Sequence, residues 1–329
     1  MDRTVVRMVP MAEQREAYAL NLSIDDRLRV LESLNARGRA CGAGRLRRRR
    51  SCPPGADAAS RRELCYTRRA MQRLSFYVNH DKPGADAVRD CLAALAVSLG
   101  MEVVDRAPEA VVVLGGDGTM LSAVREFPGT PLLGLNLGSL GFLAGVEEPR
   151  FADAIHALKS GDFTVSHRTA LSVRGRVALN DVVVQRGVTG HTSVIELSVD
   201  GHFATRFFAD GLVIATPTGS TAYSLAAGGP ILLPDSQSLV ITPICPHALS
   251  SRPLVVRDSA RLEIRLGRRP GAEEVDVYAD GAVLPETLKT GEALEVGKAG
   301  EGVPLVQLFG YDPCEVLNRK LGWSGSAIR

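Results

Sequence analysis

The stretch that most restricts how this chain folds is Ala110-Val111-Val112-Val113-Leu114-Gly115-Gly116-Asp117-Gly118-Thr119-Met120-Leu121. A short unbroken apolar run of this kind suits a parallel strand buried on both faces. Here it stops at two glycines and resumes as a helical stretch to about Arg125. Glycine lets backbone amides come close to a ligand with no Cβ in the way. A helix beginning beyond the glycines adds unpaired N–H groups and the positive end of its dipole. The combination is a phosphate cradle, at the carboxyl end of a parallel strand where open α/β sheets bind ligands. Asp117 is out of place in an anion site unless it has another task. It can accept a proton from an attacking hydroxyl or help hold Mg²⁺, or it is a plain turn or N-cap residue. No Gly-x-x-x-x-Gly-Lys-Ser/Thr occurs, and no Gly-x-Gly-x-x-Gly opens the first βαβ unit, which sets aside P-loop enzymes and ordinary dinucleotide dehydrogenases.

The flanking pattern agrees with an α/β layer. Residues 74–78 read as a strand, and Val88, Leu92, Leu95 and Leu99 share one helical face. Residues 131–135 read as a second buried strand and 151–158 as another helix. From about Thr164 short β segments follow one another, at 170–173, 182–185, 194–199, 239–242, 262–266 and 275–278, divided by turn residues. The predicted fold is therefore α/β, an N-terminal parallel-sheet α/β domain plus a mostly β C-terminal domain. Its boundaries are 71–163 for the first domain and 164–302 for the second. Residues 303–329 return to the first domain, and 315–321 are helical. At 329 residues the chain can bury two cores, and with only 5% aromatic residues these must be built from Leu, Val, Ile and Ala.

Residues 1–70 differ in character: Arg-rich, with Arg45 and a run from Arg47 to Arg50, and poorly patterned. They read as a disordered extension. The rival reading, a nucleic-acid-binding tail, lacks interleaved aromatics and a folded motif. Net charge is only +2. Cysteines at 41, 52, 65, 91, 245 and 314 have no zinc-finger spacing and read as free thiols. With no apolar run of membrane-spanning length and no apolar leader, the expectation is a cytoplasmic protein with no membrane partner.

A second constellation lies in the β-rich half. Asp210-Gly211 precedes the apolar residues 212–215, then come Thr216-Pro217-Thr218-Gly219-Ser220-Thr221-Ala222-Tyr223-Ser224 and, after Leu225-Ala226-Ala227, Gly228-Gly229-Pro230. A run so rich in hydroxyls and small residues can hydrogen-bond a ribose and an amide and leave room for flat rings. Its structural alternative is a Pro/Gly turn leading into a Ser-capped helix. Asn180-Asp181 supplies donor and acceptor groups suited to an adenine edge or paired ribose hydroxyls, or is simply a turn.

Together these residues make the chain resemble the NAD kinase family from about Met71 onward. The resemblance rests on Gly-Gly-Asp-Gly at 115–118, Asn136 with Gly138 to Phe142, Asn180-Asp181, Asp210-Gly211, the run 216–230, residues 243–247 and Asp280-Gly281. It implies Asp117 as proton acceptor and Gly115, Gly116, Gly118 and Thr119 on phosphate. It implies NAD contacts from Asp117, Gly118, Asn180, Asp181, His191, Asp210, Thr221, Ala222, Tyr223, Ser224, Leu225 and Ala226. It implies ATP or another phosphate donor, Mg²⁺ accompanying ATP, no side-chain metal cage, and a homo-oligomer, dimer or tetramer. Phe208, Ala282 and Ser139 depart from the family's usual polar or basic residues. A lipid kinase shares the glycine loop but not the hydroxyl-rich run, and a silent NAD(P)-binding protein would not need the carboxylate at 117.

Overall fold

The computed structural model describes residues 70–138, 140–187, 192–271, 273–308 and 311–323. The basic extension, up to residue 69, lies outside them, as do His191 and Ser139. The first half contains β1 (Arg73–Val78), α1 (Ala85–Ser98), β2 (Glu102–Val103), β3 (Ala110–Gly115), α2 (Asp117–Glu126), β4 (Leu132–Asn136), β5 (Val146–Glu147), α3 (Phe151–Ser160) and β6 (Phe163–Arg168). In the second half come β7 (Leu171–Val173), β8 (Arg176–Ala178), β9 (Asp181–Arg186), β10 (Ser193–Val199), β11 (His202–Ala209), β12 (Gly211–Ala215), α4 (Tyr223–Ala226), β13 (Ser238–Ile244), β14 (Leu254–Arg257), β15 (Leu262–Leu266), β16 (Glu274–Ala279), β17 (Ala282–Val283), β18 (Leu288–Lys289) and β19 (Ala293–Lys298). The chain ends with β20 (Val303–Leu308) and α5 (Pro313–Leu321).

Every residue of β3 is buried, which follows from its place inside a sheet of order β2-β1-β3-β4-β20-β6, with β5 on β4. All strand pairs of this sheet are parallel except β6 with β20, which is antiparallel. One face is packed by α1 and α3 through Leu92, Ala96, Ile155 and Leu158. The other is packed by α2 through Met120, Ala123 and Val124, joined by Ala170 and Leu179 from the second half. The two halves therefore meet on the face that carries the glycine loop. The expected boundary at Thr164 falls inside β6, because residues 163–168 pair with β20 rather than with any strand of the second half.

Strands β7 to β19 form two antiparallel sheets, ordered β11-β10-β15-β19-β7-β8 and β14-β13-β12-β9-β16-β17, with β18 on β16. Their facing residues, among them Ile195, Leu197, Ile264, Val184, Leu212, Ile214 and Val277, make one core between the sheets. This is the alternation expected when each sheet buries one face. β12 is buried at every position because its other face, with Val183, Val213, Ala215 and Val240, lies under the segment that carries Leu232. No helix among the described residues is long and apolar enough to cross a membrane.

Candidate functional site

The glycine loop closes onto α2 as the strand–turn–helix pattern requires. Gly116 is the N-cap, and its N–H donates to the Thr119 hydroxyl at 3.3 Å. A Cβ on Gly115 would run into the Thr119 side chain, so that position must stay glycine. The first α-helical bond is Met120 N–H to the Gly116 carbonyl, 3.1 Å. The amides of Asp117, Gly118 and Thr119 precede it and have no partner inside the helix. Gly118 is exposed. The loop thus retains the donors of an anion cradle.

Asp117 is fixed more tightly than its sequence suggested. Its Oδ2 accepts the Phe142 N–H at 2.9 Å, and its Oδ1 accepts those of Leu143 and Ala144 at 2.9 and 3.1 Å. A Cβ on Gly141 would overlap Asp117 Oδ1, so the segment 141–144 is shaped around this carboxylate. A carboxylate has about four acceptor positions, two per oxygen. Among the described residues three amides leave one of them free, on Oδ2. Leu121, one helical turn beyond Asp117, shares its face of α2 and reaches a cleft of about 280 Å³ between the halves.

That cleft is lined by Leu121, Asn180, Asp181, Ala222, Tyr223 and Asp280, among others. Sequence reasoning recorded Asp280 only as part of an Asp-Gly pair, but its carboxylate accepts the N–H groups of Leu179, Asn180 and Asp181 at 2.8, 2.7 and 3.3 Å. Asp280 (φ 48°) and Gly281 (φ 74°) form a two-residue hairpin between Ala279 and Ala282. Positive φ at both central residues is the type I′ requirement, and Asp-Gly was the available signal. Asp181 is buried, and burial first, then the neighbouring Asp280 charge, pushes its carboxyl from 3.8 up to about 7. Burial likewise raises Asp280 against the lowering effect of its three amides, and raises the Tyr223 phenol.

Four hydroxyls of the run, those of Thr216, Ser220, Thr221 and Ser224, are bonded inside the protein. Thr216 Oγ1 donates to the Leu179 carbonyl (2.6 Å) and accepts the Gly219 N–H (3.0 Å). Ser220 Oγ donates to the Pro217 carbonyl and accepts the Leu232 N–H, and Thr221 Oγ1 donates to the Thr218 carbonyl. Ser224 is fully buried, its hydroxyl 2.8 Å from that of Thr242. The Thr216 N–H donates to the Asn180 carbonyl at 2.9 Å, and any Cβ at Gly219 would collide with the Asn180 backbone. What the run presents to the cleft is Ala222 and the ring of Tyr223. Thr221 instead lines a small crevice with Arg168 and Tyr311. Asp210 pairs with Arg186 at 3.1 Å, and Leu225 and Ala226 continue the short α4. Of the expected contacts, then, Asn180, Asp181, Ala222 and Tyr223 share one cleft.

Comparison with known proteins matches residues 62–163 to the ATP-NAD kinase N-terminal domain and residues 179–308 to the ATP-NAD kinase C-terminal domain. An NAD kinase of Syntrophotalea carbinolica is 42% identical over 224 residues, covering 65% of this chain and 78% of the relative. One from Geobacter metallireducens is 44% identical over 233 residues, covering 68% and 81%. Among solved structures, yeast NADH kinase complexed with NADH superposes with a TM-score of 0.69 at 26% identity, covering 78% of this chain and 89% of that one.

Proposed function

The chain belongs to the NAD kinase family, and on that premise we propose how its own residues phosphorylate NAD: Asp117 is the proton acceptor beside the phosphate loop, and the cleft at Asn180, Asp181 and Tyr223 holds the dinucleotide. The observation that carries this reading is the pairing, among the described residues, of a one-acceptor vacancy on Asp117 Oδ2 with first-turn amides of α2 that have no partner inside the helix, one helical turn from the cleft.

In this reading the adenosine ribose of NAD lies at the mouth of the cleft, with a flat ring between Leu121 and Tyr223. The 2′-hydroxyl gives its proton to Asp117 Oδ2 as its oxygen bonds the terminal phosphorus of ATP, and the bond from that phosphorus to the β-phosphate oxygen breaks to release ADP. The amides of Asp117, Gly118 and Thr119 face the negative charge on the transferring group. Such transfer depends on alignment and on placed donors more than on covalent chemistry. The 141–144 amides supply the alignment, because they fix the carboxylate before substrate arrives. Asp181, neutral below about pH 7, can donate as well as accept a hydrogen bond to NAD.

Mg²⁺ enters this scheme with ATP. No group of three His, Cys, Asp or Glu side chains that could hold a metal is found among the described residues. When bound to the phosphates Mg²⁺ offsets their charge. A homo-oligomer is also proposed, on the exposed Phe203 and Phe208 of β11 and Val255 of β14, both edge strands.

The test is turnover of Asp117→Asn with NAD, ATP and Mg²⁺. Asn keeps the shape and loses the base, so kcat should fall by ~10²–10⁴ with NAD affinity retained. A variant within about twofold of wild type, far short of the usual worth of a general base, ends the assignment.

A further inference from the structure

A cavity of about 330 Å³ is lined by the segment 140–147 together with residues of β4, β20 and α5. Arg168, the last residue of β6, lines it and is only 5% exposed. Among the described residues its guanidinium makes one hydrogen bond, Nη2 to the Tyr311 hydroxyl at 3.3 Å, and sits over the Tyr311 ring at 5.7 Å. Its Nε is buried with no partner. No carboxylate among the described residues pairs with it. Buried arginines are ordinarily matched by an acid, because one ring face and one long hydrogen bond do not replace the hydration of a cation. The carboxylates around the cavity are engaged elsewhere: Glu147 with Arg319 at 2.8 Å, and Asp312 with the Cys314 N–H as the cap of α5. Glu315 lies near Arg319 and contributes to raising its basicity. Arg150, exposed on the cavity's rim, has no acidic partner among the described residues.

From this we infer a second anion site, separate from the glycine loop, in which Arg168 from inside and Arg150 from the rim take a small oxyanion, a phosphate or carboxylate group. The unmatched charge is the buried one, so the anion supplies a counter-charge that the described residues do not. The volume lies at the low end for ligand sites and suits a small anion rather than a dinucleotide. Phe142 and Leu143 form part of the wall, and the amides of both hold Asp117. An occupied site therefore shares its wall with the residues whose amides hold the proposed base.

The test compares the melting temperature of the full chain in sodium phosphate, and in a second arm sodium malonate, against sodium chloride at matched ionic strength. Wild type, Arg150→Ala and Arg168→Lys are measured. A site of millimolar affinity raises the wild-type midpoint by about 2–4 °C at ~10 mM anion, and both variants lose at least half of that shift. Phosphate alone acting identifies a phosphoryl ligand, and both acting identifies oxyanions generally. An equal shift in all three proteins assigns the anion to the glycine loop and overturns the inference, as does no shift in wild type. Should Arg168→Lys fail to fold, Arg150→Ala, altered only at an exposed rim position, decides alone.

Discussion

Asp181→Asn isolates the one strongly perturbed carboxyl of the cleft. In the unfolded chain this group titrates near its ordinary 3.8, whereas in the folded protein burial and Asp280 hold the proton on to about pH 7. Between those values the folded state binds more protons than the unfolded state, so unfolding free energy falls as pH rises. The penalty is absent below about pH 4, grows through the interval and is complete above 7. A gap of roughly three pH units at 1.36 kcal/mol each sets it at up to about 4 kcal/mol. Asn has nearly the same shape and no charge to bury. Relative to wild type, Asp181→Asn should therefore gain stability steadily from pH 4 to pH 7 and hold the gain at pH 8. Urea unfolding followed by circular dichroism at half-unit pH steps measures it. If the two proteins keep a constant difference across that window, Asp181 is not the buried neutral acid described here.

Three further outcomes test the site. Gly141→Ala places a methyl group against Asp117 Oδ1, so turnover should fall about 10²-fold, the scale of a misplaced catalytic group, while NAD titration followed by fluorescence shows unchanged affinity. Ser224→Ala strands the Thr242 hydroxyl, so chemical denaturation should show a loss of about 1–3 kcal/mol with KM for NAD unchanged. Tyr223→Ala should raise KM for NAD about tenfold and Tyr223→Phe should restore it in steady-state assays, because the contribution is the ring face, worth about 1–3 kcal/mol per stacked base.

How much of this was legible in the sequence varies from residue to residue. The apolar run at 110–114, the glycines after it and the helix beyond are determined locally: burial on both faces, freedom from Cβ and an unpaired helix start are properties of consecutive residues. So is the Asp280-Gly281 hairpin, whose positive φ values suit that dipeptide. Short strands such as β5 and β14, and the placement of β6, gave no such signal. Residues 163–168 look like the β segments that follow them, and only pairing with β20, more than a hundred residues onward, assigns them to the first sheet.

The same distinction runs through the site. Sequence marked Asp117 as chemically unusual, but its restraint by the amides of 142–144 depends on how a loop folds back across the helix start, which no local pattern encodes. The hydroxyls of 216–224 showed that the run was special without saying which way they point. Long-range bonds to Leu179, Leu232 and Thr242 hold those of Thr216, Ser220 and Ser224 inside, since a buried hydroxyl takes a partner where the fold supplies one. Asp181 and Arg168 are ordinary charged letters in the chain. Their properties come from burial and from which charges the packing sets beside them, and both are decided only when distant segments meet.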